Sequence, residues 1–554
     1  MILRSLIGIT LLAVFPGHLP GGEKAAEYRG GVVVSVSAAG SDAGLAILKE
    51  GGNAVDAAVA TAFALAVVHP AAGNIGGGGF MVIHPANGEP TVIDYRETAP
   101  AAATRTMFKK DDNLYGHRVV GIPGTVRGLA LAHQRYGKLP WKTVVEPAVK
   151  LAHEGFLLDA HEAGSLNNVL ASGRDMRELQ RVFGRTDGRP WSEGDSLVQP
   201  DLGKTLRLIA EQGPDAFYEG PIAALLAAEM NAGDGLITAG DLAGYKALAR
   251  KPIKGSYRGY DVYAPPPPSS GGICLIEMLN ILENYDLKKH DRFGPVTLHL
   301  MIEAMRRAYC DRALFLGDPA FTKIPDHLTS KEYAKKLAQG INPKHATKSG
   351  DLAKEIQLSA EGESTTHFSI IDKDGMAVAN TYTLERSYGS RIVVKGAGFL
   401  LNNEMMDFNW QPGVTNTQGT IGTLPNQIAP GKRMLSSQSP TILAKNSKVF
   451  LITGSPGSRT IINTVLNIVI NVVDYDMDIQ AAVDAPRLHH QWFPDEVHFE
   501  GISTYTATVA ALRAMGHRVT STRQGDAHSI WVNPHSGAYV GAADKRLSGK
   551  VSGY

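Results

Sequence analysis

A layered α+β fold is predicted for this chain by a change of pattern along it. Between about residues 125 and 345 apolar positions recur mainly with helical spacing, whereas beyond residue 366 they fall into short strands joined by tight turns. Strands flanked by helices bury their apolar faces as a sandwich of layers. With 554 residues, 44% apolar and 20% charged, the two halves can share one large core. Periodicity alone leaves the strand order open.

The elements follow in order. Met1 to Arg4 places one positive charge ahead of the apolar run Leu6 to Phe15, which ends at Pro16-Gly17. This reads as an export signal over about residues 1–22, too short to span a bilayer. From Gly40 to Val68 two helices meet at Gly51-Gly52, with Asn53 capping the second and His69-Pro70 ending it. The glycine run from Gly73 to Phe80 lacks the Lys-Ser/Thr of a phosphate loop and implies tight turning beside a packed element. A helix is expected from Pro295 to Arg312, then an exposed polar linker from Lys344 to Ser364. The strands His367 to Ile371 and Ala377 to Leu384 flank a Lys373-Asp374-Gly375 turn. A hairpin of Thr441–Ala444 with Val449–Ile452, a helix over Thr460–Val473 and a hairpin of Ser529–Val532 with Tyr539–Gly541 complete the pattern.

Several function classes are disfavoured. Lys plus Arg number 55 against 54 Asp plus Glu, so a net charge of +1 offers no basic face to nucleic acid and no strong field toward a membrane. Small-molecule chemistry is the better expectation. Cys274 and Cys310 lie in helical segments and read as two small buried hydrophobes, for which a disulfide is possible but unneeded. His489-His490, Asp495-Glu496 and His498 suggest a metal only superficially, because neighbouring strand histidines point to opposite faces. The run Thr453-Gly454-Ser455-Pro456-Gly457 begins with threonine and so is no Gly-x-Ser-x-Gly elbow.

The most informative stretch is Glu363-Ser364-Thr365-Thr366-His367-Phe368-Ser369, where the linker meets a strand. Cleavage between Ser364 and Thr365 would free an α-amine with an unperturbed pKa near ~8, basic enough to take the proton of Thr365's own hydroxyl. One residue would then be nucleophile and base.

Together with these features, an ordered set of segments closely resembles the γ-glutamyltranspeptidase (glutathione hydrolase) family of N-terminal nucleophile hydrolases. The set includes Gly51 to Ala58, Gly76 to Phe80, Asp94-Tyr95-Arg96-Glu97, Pro266 to Gly272, Gly317-Asp318-Pro319, Thr365-Thr366-His367, Thr381 to Leu384, Leu401-Asn402-Asn403, Leu435-Ser436-Ser437 and Gly454 to Gly457. The resemblance implies an αββα sandwich built jointly by a large fragment, residues 23–364, and a small catalytic fragment, residues 365–554. It further implies Thr365 as nucleophile, Thr383 as the hydroxyl bonded to it, and Gly457 and Ser458 as oxyanion donors. Most members carry glycine where Ser458 stands; a backbone N–H survives the change if the position does not demand a positive φ. Arg96 with Ser436 and Ser437 matches the pocket for a donor α-carboxylate, and Glu385, Glu404 and Asp407 the group gripping its α-ammonium. Trp410 to Arg433 resembles a lid, with Gln418 replacing an aromatic found in some members.

The expected activity is therefore hydrolysis and transfer of γ-glutamyl groups from glutathione and other γ-glutamyl compounds to water, amino acids or peptides, by an exported, periplasmic or secreted enzyme. The family requires no cofactor and no metal. The alternatives are an acylase specialised for cephalosporin or glutaryl side chains, and an unprocessed binding protein of the same fold.

Overall fold

A computed structural model describes residues 26–109, 111–353, 365–416 and 422–554. The expected export segment 1–22, Ser364 and Gln418 lie outside the described residues.

Two antiparallel sheets form the middle of the molecule. The first orders its seven strands Lys550–Gly553, Gly31–Ser35, Thr366–Asp372, Ala377–Thr383, Gly78–His84, Thr91–Asp94 and Leu248–Arg250. The second orders six: Tyr539–Ala543, His528–Val532, Lys448–Thr453, Thr441–Lys445, Tyr260–Ala264 and Ile253–Tyr257. Period-2 alternation sends each strand's side chains to two apolar layers. Val32, Val34, Phe80, Val82, Ile371 and Ala379 of the first sheet meet Ile442, Ile452 and Ile530 of the second. Their neighbours Val33, Met81, Ile83, Phe368, Ile370 and Val378 face outward onto the helices Ala38–Lys49, Ala54–Val68 and Trp141–Glu154. On the far side, Leu443 and Leu451 pack on Gly271–Leu282, Pro295–Phe315 and Thr460–Val473. The result is helix, sheet, sheet, helix, as the resemblance implies.

Asn53 caps its helix as expected, accepting from the N–H groups of Val55 and Asp56 while Asp56 reaches back to the Asn53 N–H. Cys274 and Cys310 are free and buried. No helix among the described residues is long and apolar enough to cross a membrane.

Two expectations need correction. The strands are not confined to the later part of the chain: the stretches 31–35, 78–84, 91–94, 248–250, 253–257 and 260–264 supply about half of the two sheets. Gly31–Ser35 and Gly78–His84 are buried on both faces, which erases the alternation that reveals a strand. The start of the polar linker is also anchored. Ser349 is buried; it accepts from Arg306 Nη1 at 2.6 Å, donates its N–H to Asp495 at 2.9 Å and receives the Trp492 indole N–H at 2.8 Å.

Candidate active site

The site forms where the two central strands of the first sheet end against the second. The pairing Thr381 with His367 and Tyr382 with Thr366 sets an antiparallel register. Continuing it by one pair places Thr383 opposite Thr365, and alternation puts both on the face between the sheets. Ser369 and His367 share that face: Ser369 donates to the carbonyl of His528, in the second sheet, at 2.8 Å. His367 Nδ1 lies 2.8 Å from the Thr381 hydroxyl, and a side chain at Gly454 would come within 2.3 Å of its ring. Burial, with His528 beside it, holds His367 well below the usual imidazole range and keeps it neutral.

Thr383 is fixed from two directions. Its carbonyl accepts from the Asn74 amide at 3.0 Å, and its hydroxyl accepts from the Glu385 N–H at 2.8 Å. A hydroxyl that accepts there has its own proton to direct elsewhere. The glycine run expected to turn tightly does pack closely: a Cβ on Gly79 would meet the Thr381 carbonyl at 2.4 Å, and one on Gly78 the Tyr95 carbonyl at 2.4 Å.

Thr365 and Thr383 line a narrow cleft with Arg96, Glu385, Glu404 and Asp407. Ser436, Ser437 and Ser458 complete its lining. Gly457 directly precedes Ser458 at the start of the Thr460–Val473 helix, so nine of the residues expected from sequence converge and Gly457 adjoins them. Sequence reasoning gave no role to Arg312 or Gln438, which also line the cleft, or to Glu97, which stands beside Arg96 in the same matching segment.

The Arg96 guanidinium is fully buried. It lies 2.6 Å from Glu404, contacts Asp407, and reaches the carbonyls of Met434 and Leu435 at 3.3 and 3.4 Å. Glu97 Oε2 approaches it at 3.4 Å. The expected carboxylate-binding cation and two of the expected ammonium-binding acids thus form one cluster. Burial raises the Glu97 carboxyl to about 8 despite Arg96, and pushes Glu404 well above the usual range. Arg96 itself stays protonated: burial opposes its charge, but Glu404, Asp407 and Glu97 outweigh that. Glu404 Oε2 sits off the N–H directions, so among the described residues neither Glu404 oxygen, nor Oε1 of Glu97, receives a hydrogen bond. Buried carboxylate oxygens in that state are costly and ready to accept donors from a ligand.

Ser458, where most members carry glycine, occupies left-handed backbone at φ 51°, next to Gly457 at 122°; Glu385 is left-handed too, at φ 79°. The condition set for Ser458 is therefore not met. Serine holds a conformation that glycine adopts without strain, at a cost of roughly 1–3 kcal/mol.

Other candidate sites are weaker. His489 turns to Asn463 and His490 to Asp495, so the histidine pair addresses separate partners. His299, Glu303 and His517 cluster with spacing that suits an ion, but their atoms are committed. His299 Nε2 must donate to the Asn342 carbonyl at 2.8 Å, so its Nδ1 accepts from His517 Nε2 at 2.8 Å. His517 Nδ1 then faces Arg306 Nη2 at 3.4 Å. Neither ring keeps a lone pair for a metal. A wider cavity of about 520 Å³ around Arg181, Trp191 and Leu202 contains no paired nucleophile and base, and its arginines are matched by Asp187, Asp195 and Asp201.

Known proteins resemble this chain over most of its length. The family model described as Gamma-glutamyltranspeptidase matches residues 40–554. The glutathione hydrolase proenzyme of Escherichia coli (strain K12) is 48% identical over 526 residues, covering 93% of this chain and 90% of its own. A cephalosporin acylase from Bacillus halodurans superposes with a TM-score of 0.86 at 27% identity, covering 98% of both chains. A chain of Helicobacter pylori gamma-glutamyltranspeptidase matches with a TM-score of 0.56 at 42% identity, over 59% of this chain and 95% of that one.

Proposed function

Because this chain belongs to the γ-glutamyltranspeptidase family, we propose that it cleaves γ-glutamyl amides such as glutathione through an ester on Thr365 and passes the acyl group to water, amino acids or peptides. The observation that carries this reading is the register that sets Thr383 opposite Thr365 at the wall of a cleft holding Arg96 and Glu404, whose carboxyl oxygens receive no hydrogen bond among the described residues.

Maturation comes first. The Thr365 hydroxyl attacks the Ser364 carbonyl; the C–N bond breaks, and the departing nitrogen takes the hydroxyl proton. Water opens the resulting ester, leaving a Ser364 carboxylate and the Thr365 hydroxyl with a free α-amine. The mature protein is then a pair of fragments, 23–364 and 365–554, whose shared sheets keep them together after export to the periplasm or medium.

In turnover the α-amine draws the proton from Thr365 Oγ as it attacks the γ-carbonyl. The Gly457 and Ser458 N–H groups receive the oxyanion. The amine transfers its proton to the leaving nitrogen, and an incoming water or amine reverses these steps. Arg96, Ser436 and Ser437 hold the donor carboxylate, while Glu385, Glu404 and Asp407 receive its ammonium. Three N–H donors from that ammonium would supply hydrogen bonds that Glu404 lacks.

Ser458, together with the acylase similarity, favours a second reading, turnover of acyl groups without an α-amine. Rates on γ-glutamyl and glutaryl 4-nitroanilides decide between them. The glutamyl reading expects the glutaryl donor to lose most of its turnover; equal rates would overturn it in favour of the acylase.

A further inference from the structure

Arg312 lies in the last turn of the long Pro295–Phe315 helix and lines the cleft, 6% exposed. Its Nη2 donates to the Ser437 hydroxyl at 3.0 Å and its Nε to the Ser270 hydroxyl at 2.9 Å. Ser270 in turn donates its own hydroxyl to the Ser436 carbonyl at 2.6 Å and its N–H to the same oxygen at 2.8 Å. One guanidinium therefore braces the serine pair from the large-fragment side.

The direction of these bonds matters. A guanidinium has no acceptor, so Ser437 Oγ can only accept from it, and the serine's own proton must point elsewhere. Among the described residues Ser437 Oγ makes no other hydrogen bond. Ser436 Oγ likewise accepts, from the Gln438 N–H at 3.1 Å. Both hydroxyls are left as outward donors on the cleft wall, the arrangement that a carboxylate with two oxygens accepts from. The planar fork also places positive charge directly behind that pair.

We propose that Arg312 is a positioning residue for donor recognition: by occupying the acceptor side of Ser437, it turns that hydroxyl toward the donor's α-carboxylate. This rests on the γ-glutamyl reading above. Arg312 touches no reacting atom and acts through Ser437.

The test compares two donors on the purified, mature protein, γ-glutamyl 4-nitroanilide and 4-aminobutyryl 4-nitroanilide, which keeps the ammonium but lacks the α-carboxylate. The measured quantity is the ratio of their kcat/KM values. Arg312→Met is expected to lower that ratio about tenfold, mainly through KM for the glutamyl donor, and Arg312→Lys about threefold. In a Ser437→Ala background the same Arg312→Met change should shift the ratio less than about twofold, because its intermediary is gone. Equal losses on both donors would make Arg312 a mere brace and overturn the proposal, as would a full additive loss in the Ser437→Ala background. If Arg312→Met does not fold, the lysine variant decides, and an unchanged ratio overturns the proposal. A wild-type protein that ignores the glutamyl donor altogether refutes the γ-glutamyl reading itself, a result distinct from any Arg312 effect.

Discussion

Arg96 with Glu97, Glu404 and Asp407, and Arg306 with Glu303, Arg307 and the exposed Asp495, are both arginine and carboxylate clusters built on buried arginines. They differ in how completely their hydrogen bonds are met. Glu303 accepts from Arg307 at 2.6 Å, from the Thr347 N–H at 3.0 Å and from the Thr347 hydroxyl. Burial opposes its charge, yet Arg306, Thr347 and Arg307 hold its carboxyl below the usual range. At the cleft, Glu97 and Glu404 sit above that range, and among the described residues neither Glu404 oxygen nor Oε1 of Glu97 receives a hydrogen bond. The satisfied cluster ties the Pro295–Phe315 helix to Ser349 and to Asp495. The unsatisfied one has bonding capacity left for a ligand. A buried charge cluster thus acts as a strut or as a binding site according to what remains unpaired.

The sharpest way to break this comparison is to remove each arginine. Arg96→Met should lower kcat/KM on the glutamyl anilide by roughly a thousandfold or more, since a bidentate cation for the donor is lost. Arg306→Met should instead cost about 3–5 kcal/mol of stability, read by denaturant unfolding, with kcat per folded molecule preserved. If the Arg306 change struck catalysis without lowering stability, the distinction would be wrong.

The next effect is a pH slope. The Glu97 carboxyl is raised to about 8 in the folded protein, from its ordinary value of 4.5, so the folded state binds the extra proton. Its contribution is fully present below about pH 4.5 and is lost as pH rises through about 8. Glu97→Gln should flatten the fall in Tm between about pH 5 and 8; an unaltered slope would show that Glu97 ionises normally. The smallest effect is local. Ser458→Gly should add roughly 1 kcal/mol of stability by relieving the left-handed serine, whereas a loss would show that its hydroxyl makes a contact worth more than the strain.

Much of this was legible in the sequence, for identifiable reasons. Thr366–Asp372 and Ala377–Thr383 announced themselves through a Lys-Asp-Gly turn, and the Thr460–Val473 helix through its apolar spacing. Gly31–Ser35 did not, because a strand covered on both faces has no polar side to alternate with. The linker's anchor at Ser349 depends on Arg306 and Asp495, distant in sequence, which composition cannot reveal. Resemblance selected the cleft residues one by one, but not the pairing of Arg96 with the acids, which is a property of three-dimensional placement. Arg312 was missed for a related reason: within its helix it reads as one more cation.

The central claim is that Thr365 becomes an N-terminal nucleophile, and intact-mass measurement of purified wild type and Thr365→Ala tests it most directly. The account predicts two fragments for wild type, the smaller beginning at Thr365, and one inactive chain for the variant. A variant that still separates into those fragments, or an uncut wild-type chain that turns over the glutamyl donor, would contradict it.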